Sequence, residues 1–195
     1  MIGRIAGTLL AKSPPLLLVD VGGVGYELDA PMSTFYRLPA VGEPVQLHTH
    51  LLVREDAQLL YGFASEAERA LFRQLLKVSG VGAKLALVIL SGVTVDELLA
   101  IVADADAARL VRIPGIGRKT AERLILELRE PLGRMAGAPA SALAPRGDAL
   151  QDAASALEAL GYKPTEARAA LRDLTADGQT SEDLIRAALK RLMRG

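Results

Sequence analysis

Val78-Ser79-Gly80-Val81-Gly82-Ala83-Lys84 and Ile113-Pro114-Gly115-Ile116-Gly117-Arg118-Lys119 carry one pattern twice, with Gly80 and Gly115 standing 35 positions apart. Apolar sequence of helical period flanks each glycine pair, so the segment reads as helix, tight hairpin, helix, duplicated. The chain must reverse within a few residues there, through backbone angles that side chains oppose. Without Cβ atoms the glycines also let the N–H groups that open the next helix approach a phosphate oxygen, where the helix dipole adds about half a positive charge. Lys84 in the first copy, and Arg118, Lys119 and Arg123 in the second, lie in the first two turns of that helix and add charge at the same place. Gly80, Gly82, Lys84, Gly115, Gly117, Arg118, Lys119 and Arg123 are therefore the candidate DNA-binding set. Contacts of this kind address the phosphate backbone and carry no base sequence, so the expected specificity is for shape. The plainer alternative is that Gly-x-Gly merely ends one helix and begins another.

Upstream, residues 1–63 read as strands. Gly3 to Leu10, Leu16 to Val21 and Val24 to Leu28 are short apolar runs broken by Ser13-Pro14-Pro15 and Gly22-Gly23. Pro31 to Leu38 suits a short helix, and Val45, Leu47, Thr49, Leu51 and Val53 alternate as the buried face of a further strand. A turn at Arg54-Glu55-Asp56-Ala57 leads into Gln58 to Phe63. About five short strands suit a small barrel of the OB type. Residues 64–134 form the helical domain, opened by Ser65 as N-cap with Glu66 and Glu68 in the first turn. Ala70, Leu71, Gln74, Leu75 and Val78 line one side of its first helix, and Leu85 to Leu90 is apolar enough to require burial. Residues 135–147 are dominated by Ala, Gly and Pro and read as a flexible linker. Residues 148–195 then hold three short helical stretches, Leu150 to Leu160, Thr165 to Leu174 and Ser181 to Met193. Gly161 is the expected stop, Pro164 a start, and Thr180 or Ser181 a cap. The fold class is thus α+β and multidomain: an OB-type barrel, a tandem helix-hairpin-helix domain and a C-terminal three-helix, UBA-like domain.

Whole-chain charge is uninformative, because 23 basic and 23 acidic side chains cancel. Its distribution is informative: Arg109 to Arg134 holds 7 basic against 3 acidic residues. The absence of cysteine excludes disulfides, thiolate zinc sites and thiol nucleophiles, and is compatible with a reducing compartment. No early apolar run is long enough to span a bilayer, so the expected location is the cytoplasm, with no membrane partner.

The glycines do not make a nucleotide site. A P-loop would place Gly where Arg118 and Ile113 stand before Lys119-Thr120, and a dinucleotide fingerprint would place its third Gly at Leu85 or Thr120. His48 and His50 share a strand face, but catalytic zinc takes three protein ligands and the chain has no other His or Cys. Asp104 and Asp106 fall at a helix start, where the dipole explains them. No catalytic cluster, metal site or cofactor site emerges. The rival readings are the grip of a DNA-processing enzyme and a general duplex-binding protein. Against the first, a hairpin-type glycosylase would carry an Asp about twenty residues past its glycines, and none occurs between Gly117 and Gly133.

Met1-Ile2-Gly3-Arg4, Val21-Gly22-Gly23-Val24-Gly25-Tyr26, the run Val53 to Phe63, both hairpins, Lys119-Thr120-Ala121-Glu122-Arg123-Leu124 and Leu160-Gly161-Tyr162-Lys163-Pro164 together resemble, in order, the RuvA family of junction-recognition subunits of bacterial branch-migration complexes. The similarity covers nearly the whole chain and drifts in the linker and the ends of the last module. The resemblance implies a four-fold tetramer, singly or as a face-to-face pair, that holds the arms of an open Holliday junction. It implies the RuvB ATPase as partner of the C-terminal domain, RuvC resolvase as a further candidate partner, and roles in recombination, DNA repair and the SOS response to DNA damage, without catalysis by the chain itself. It gives Glu55 and Asp56, otherwise ordinary turn charges, the role of an acidic pin at the junction centre. It also points to Leu157, Leu160 and Tyr162 as the RuvB-facing surface, although the two leucines equally suit a small core. Arg118 stands where the family often has Lys, which keeps the charge.

Overall fold

The structure is a computed structural model that describes residues 1–137, 149–172, 174 and 180–192, with the backbone alone for 134–137. The chain divides into two compact units, Met1–Ala138 and Pro139–Gly195.

The first unit opens with β1 (Arg4–Ser13), β2 (Leu16–Val21) and β3 (Val24–Asp29), followed by α1 (Met32–Phe35), β4 (Pro44–Val53) and β5 (Gln58–Phe63). These strands close into a barrel in the order β1-β2-β3-β5-β4. Closure is made by β3 and β5, which pair in parallel at Asp29 and Tyr61, while the other neighbours are antiparallel. Alternation works as the sequence implies: Val45, Leu47 and Thr49 point inward from β4, with Leu9, Leu17, Val19 and Leu28 completing the barrel core. The expected inward face ends earlier than the pattern suggests. Leu51 is only partly buried and Val53 is exposed, because β4 runs out of the barrel towards the turn at Glu55 and Asp56.

The helical part comprises α2 (Glu66–Leu75), α3 (Ala83–Gly92), α4 (Val95–Ala103), α5 (Ala107–Val111) and α6 (Arg118–Gly137). Ser65 caps α2 as expected, its hydroxyl accepting from Glu68 N at 3.2 Å. The face that α2 buries is Glu68, Leu71, Phe72 and Leu75, whereas Ala70 and Gln74 lie at its margin. Asp104 ends α4 rather than opening a helix, and Asp106 caps α5 by accepting from Arg109 N at 3.1 Å. α6 continues through Pro131 to Gly137, so residues 135–137 are helical and not linker. The remainder of the expected linker, 138–147, lies outside the described residues.

Barrel and helices share a core. Tyr61 and Phe63 of β5 belong to the helical cluster, their rings 5.0 and 4.9 Å from Phe72. Polar ties reinforce the seam: Arg69 donates to Gly3 O and to Thr49 O, Ala64 N donates to Thr34 Oγ1 at 3.0 Å, and Met32 N donates to Ser91 Oγ at 2.9 Å.

The second unit contains α7 (Ala149–Ala159), α8 (Pro164–Leu171) and α9 (Ser181–Leu192) around a small core of Ala153, Leu157, Ala167, Leu171, Leu184 and Ala188. Gly161, at φ 98°, ends α7. Thr180 caps α9, accepting from Asp183 N at 3.3 Å while its own hydroxyl donates to the Asp183 carboxylate at 2.8 Å. The bond from the Thr180 hydroxyl, with a second from Thr180 N at 3.3 Å, holds the Asp183 carboxyl below its usual range.

Candidate nucleic-acid interface

Both hairpins form where the duplication puts them, and in each the two glycines have different tasks. Gly80 and Gly115 take φ 84° and 87°, the left-handed region, each inside a turn beyond the preceding helix that is closed by Val81 N donating to Val78 O at 3.0 Å and by Ile116 N donating to Ile113 O at 3.1 Å. Gly82, by contrast, has ordinary extended angles (φ −88°, ψ 171°) and serves as the N-cap of α3. A Cβ at Gly82 or Gly117 would meet nothing within 4 Å. Neither packing nor backbone geometry demands a glycine at these two positions. What glycine supplies there is an unobstructed approach to the helix end.

Capping chemistry sharpens this contrast. The helices α2, α4 and α5 close their N-termini with their own side chains, Ser65, Thr94 and Asp106. At α4 this is a full capping box, in which Thr94 N donates to Glu97 at 2.8 Å; the Thr94 bonds, helped by Arg109, hold the Glu97 carboxyl below its usual range. α3 has no side-chain cap, so its first N–H groups are left for an external acceptor. An anion fits there, with the dipole behind it.

The cations are in place around these ends. Lys84 and Lys119 are exposed in the first turns of α3 and α6. Arg118 is 87% exposed and makes only a surface pair with Glu122, Nε to Oε1 at 3.0 Å, of a kind worth about 0.5 kcal/mol and readily exchanged for phosphate. Arg123 behaves differently. Its guanidinium donates to Ser79 O in the first hairpin at 3.2 Å, and Glu127, one turn further along α6, accepts from Ser79 N at 3.2 Å. Sequence reading missed Glu127, because an i,i+4 Arg and Glu on a helix look like an ordinary solvated face.

A scan against family models matches residues 1–62 to the RuvA N-terminal domain, 72–130 to a SAM-like helix-hairpin-helix tandem and 148–193 to the RuvA C-terminal domain. The chain is 58% identical over 201 residues, spanning all of both chains, to the Holliday junction branch migration complex subunit RuvA of Thioalkalivibrio sulfidiphilus. It is equally 58% identical to its counterpart from Methylococcus capsulatus, again over the whole of both chains. With the Pseudomonas aeruginosa counterpart it shares 54% over 198 residues, 97% of this chain and 98% of that one. The chain belongs to the RuvA family.

Glu55 and Asp56 sit exposed at the tip between β4 and β5, in a turn closed by Arg54 N donating to Ala57 O at 2.8 Å. In the second unit the three expected contact residues separate. Leu157 is wholly buried in the bundle and is a core residue, so it offers no surface; Leu160 is 61% exposed, and Tyr162 is half-buried against the core. The difference lies in where the helix stops: α7 ends at Ala159, and Leu160 stands beyond it, beside the turn at Gly161.

His48 and His50 have separate partners. His48 Nδ1 lies 3.1 Å from Glu66, and His50 Nδ1 accepts from Arg73 Nε at 3.4 Å with its ring edge-on to Phe72. Burial, then Arg73 and Arg69, push the His50 pKa down. No group of three or more metal-ligating side chains occurs among the described residues. Among them, too, no single helix is long and apolar enough to cross a membrane; α3 and α4 meet that measure only as a pair bent by 96°.

Proposed function

We propose that this chain recognises four-way DNA junctions by shape, holds them open, and couples them to the RuvB ATPase for branch migration in recombination and repair, without catalysing bond-making itself. The observation that carries the reading is the pair of helix starts capped by unobstructed glycines and ringed by Lys84, Arg118 and Lys119. It occurs in a chain whose relatives are named Holliday junction branch migration complex subunits. Two such sites on one rigid part match two phosphates of one duplex arm. Four copies about a four-fold axis would then match four arms.

The parts take separate roles. Residues 64–134 grip the arms, while residues 1–63 present Glu55 and Asp56 at the centre, where carboxylates repel phosphates and keep the exchanging strands apart. Residues 148–195 offer Leu160 and Tyr162 to RuvB. The protein works in the cytoplasm as a tetramer, alone or as two tetramers facing across the junction.

A titration of an immobile four-way junction against a linear duplex of the same arm sequence, each at several salt concentrations, tests this. Much tighter junction binding that weakens steeply with salt supports the reading. Equal affinity for both would leave a general duplex binder. Incision of either substrate with magnesium would instead favour a nuclease.

A further inference from the structure

One helix begins at the second hairpin and holds the first. α6 starts with Arg118 and Lys119, and further along, at Arg123 and Glu127, it takes both backbone polar groups of Ser79, the residue immediately before Gly80. Applying the 35-residue offset of the duplication shows that this pair lies outside the repeated motif. The position equivalent to Lys119 is Lys84, so a cation beside the helix start occurs in both copies; the positions equivalent to Arg123 and Glu127 are Val88 and Gly92. The second copy therefore has a donor and an acceptor that the first lacks, spaced one turn apart to match one residue's backbone polar groups in the opposite hairpin.

We propose that Arg123 and Glu127 are positioning residues that lock the first hairpin to the helix of the second, so that the two phosphate sites keep a fixed spacing. This rests on the reading of the hairpins as DNA-binding. Recognition by shape needs such a device, since two sites that drift relative to each other pay the ordering entropy again on binding. Ser79 is exposed, and without the pair its carbonyl and N–H would be satisfied by water, leaving the turn free to shift.

Glu127 makes the idea testable by sign. A carboxylate beside a phosphate site is electrostatically unfavourable, so if its charge were all that mattered, removing it would tighten DNA binding. The positioning role requires the opposite. In the full-length chain, Glu127→Ala should speed amide exchange at Ser79 and weaken junction binding by about threefold to tenfold, the net effect of losing an ordinary hydrogen bond, since this one is exposed and water screens its charge. Glu127→Gln, which removes the charge but keeps an acceptor oxygen, should recover most of the affinity. Arg123→Ala should weaken binding while leaving the slope of log affinity against log salt unchanged, whereas Lys119→Ala should lower that slope by about 0.9 for each phosphate it no longer neutralises. Junction binding by Glu127→Ala as tight as wild type or tighter, or a drop in slope for Arg123→Ala equal to that of Lys119→Ala, would overturn the inference. Should the wild-type chain fail to bind junctions, the functional reading fails instead, and unaltered Ser79 exchange in Glu127→Ala would still refute the clamp.

Discussion

Replacing one glycine of a hairpin with alanine should damage either folding or binding, depending on which glycine is chosen. At Gly80 the nearest atom to an added Cβ is Arg123 Nη1 at 3.7 Å, an ordinary contact, so the cost comes from the backbone. An L-residue held at φ 84° pays about 1–2 kcal/mol, which should lower the melting temperature of the first unit by several degrees. Gly82 has normal angles and open space. Alanine there gains about 0.4–1 kcal/mol by restricting the unfolded chain and loses a similar amount as a poorer N-cap than glycine, leaving stability nearly unchanged. Its methyl group, however, would stand where the proposed function has a phosphate oxygen meet the first N–H groups of α3. Loss of one charge-assisted hydrogen bond of about 1.5–3 kcal/mol corresponds to roughly tenfold to hundredfold weaker binding. Thermal melting by circular dichroism and junction titration on both variants give four numbers, and the crossed pattern is the expectation. A Gly82→Ala protein that binds the junction like wild type would show that no phosphate approaches this helix end, and the mechanism would fall with it.

Arg69→Met should cost about 2–4 kcal/mol in chemical denaturation, because Gly3 O and Thr49 O lose a shared charged donor at the seam between barrel and helices; a loss below about 0.5 kcal/mol would show the tie to be ornamental. His50 has a folded-state pKa below its unfolded value, so the unfolded chain binds its proton first. The stability it contributes is full above the unfolded pKa and is lost as pH falls from about 6.5, and His50→Gln should flatten the dependence of melting temperature on pH in that window. Glu55→Gln combined with Asp56→Asn should leave melting unchanged, since both side chains are exposed, and should tighten junction binding; weaker binding by the double variant would refute the repulsive role. Leu157→Ala should destabilise the second unit by about 2–5 kcal/mol, whereas Leu160→Ala should leave it folded and weaken RuvB capture, and a melting loss from Leu160→Ala equal to that from Leu157→Ala would contradict the placement of these residues.

Local pattern was enough for features that depend on local physics. The barrel strands follow from alternation and from breaks at Ser13-Pro14-Pro15 and Gly22-Gly23, and the duplicated hairpins follow from a repeat that needs no third dimension to be seen. What escaped is what a partner element decides. Tyr61 and Phe63 alternate like any barrel residues, yet they serve the helical core, because α2 brings Phe72 to the open side of β5. Leu157 and Leu160 differ by three positions, a spacing that keeps both on one face while the helix lasts; Gly161 ends it and the second leucine is left outside. Asp104 and Asp106 are two residues apart and chemically alike, but α4 ends at one and α5 begins at the other. Helix boundaries cannot be set that finely from propensity. α6 likewise runs past Pro131 to Gly137, into residues whose composition reads as linker. Arg123 and Glu127 were visible as residues, but their task was not, since Ser79 lies 44 and 48 positions away in sequence.

The shared core bears on how shape can be read at all. A protein that senses the angle between DNA arms must itself resist bending between the element that touches the arm and the element that meets the centre. In the function proposed above the arm is met by the hairpins and the centre by the turn at Glu55 and Asp56, which belong to different parts of the first unit. Rigidity between them comes from Phe72, whose ring lies 5.0 and 4.9 Å from Tyr61 and Phe63 of the very strand that leaves the acidic turn. Arg69 adds to this by gripping Thr49 O on the strand that enters it. Both strands of the acidic turn are thus anchored to α2, and α2 leads directly into the first hairpin. Truncating Phe72 to alanine would remove about 3–5 kcal/mol of packing. A milder change, Phe72→Leu, keeps the seam apolar but removes the ring that Tyr61 and Phe63 pack against, and should lower the preference for junction over linear duplex more than it lowers affinity for the duplex itself. An equal loss on both substrates would mean that rigidity at this seam contributes nothing to shape recognition.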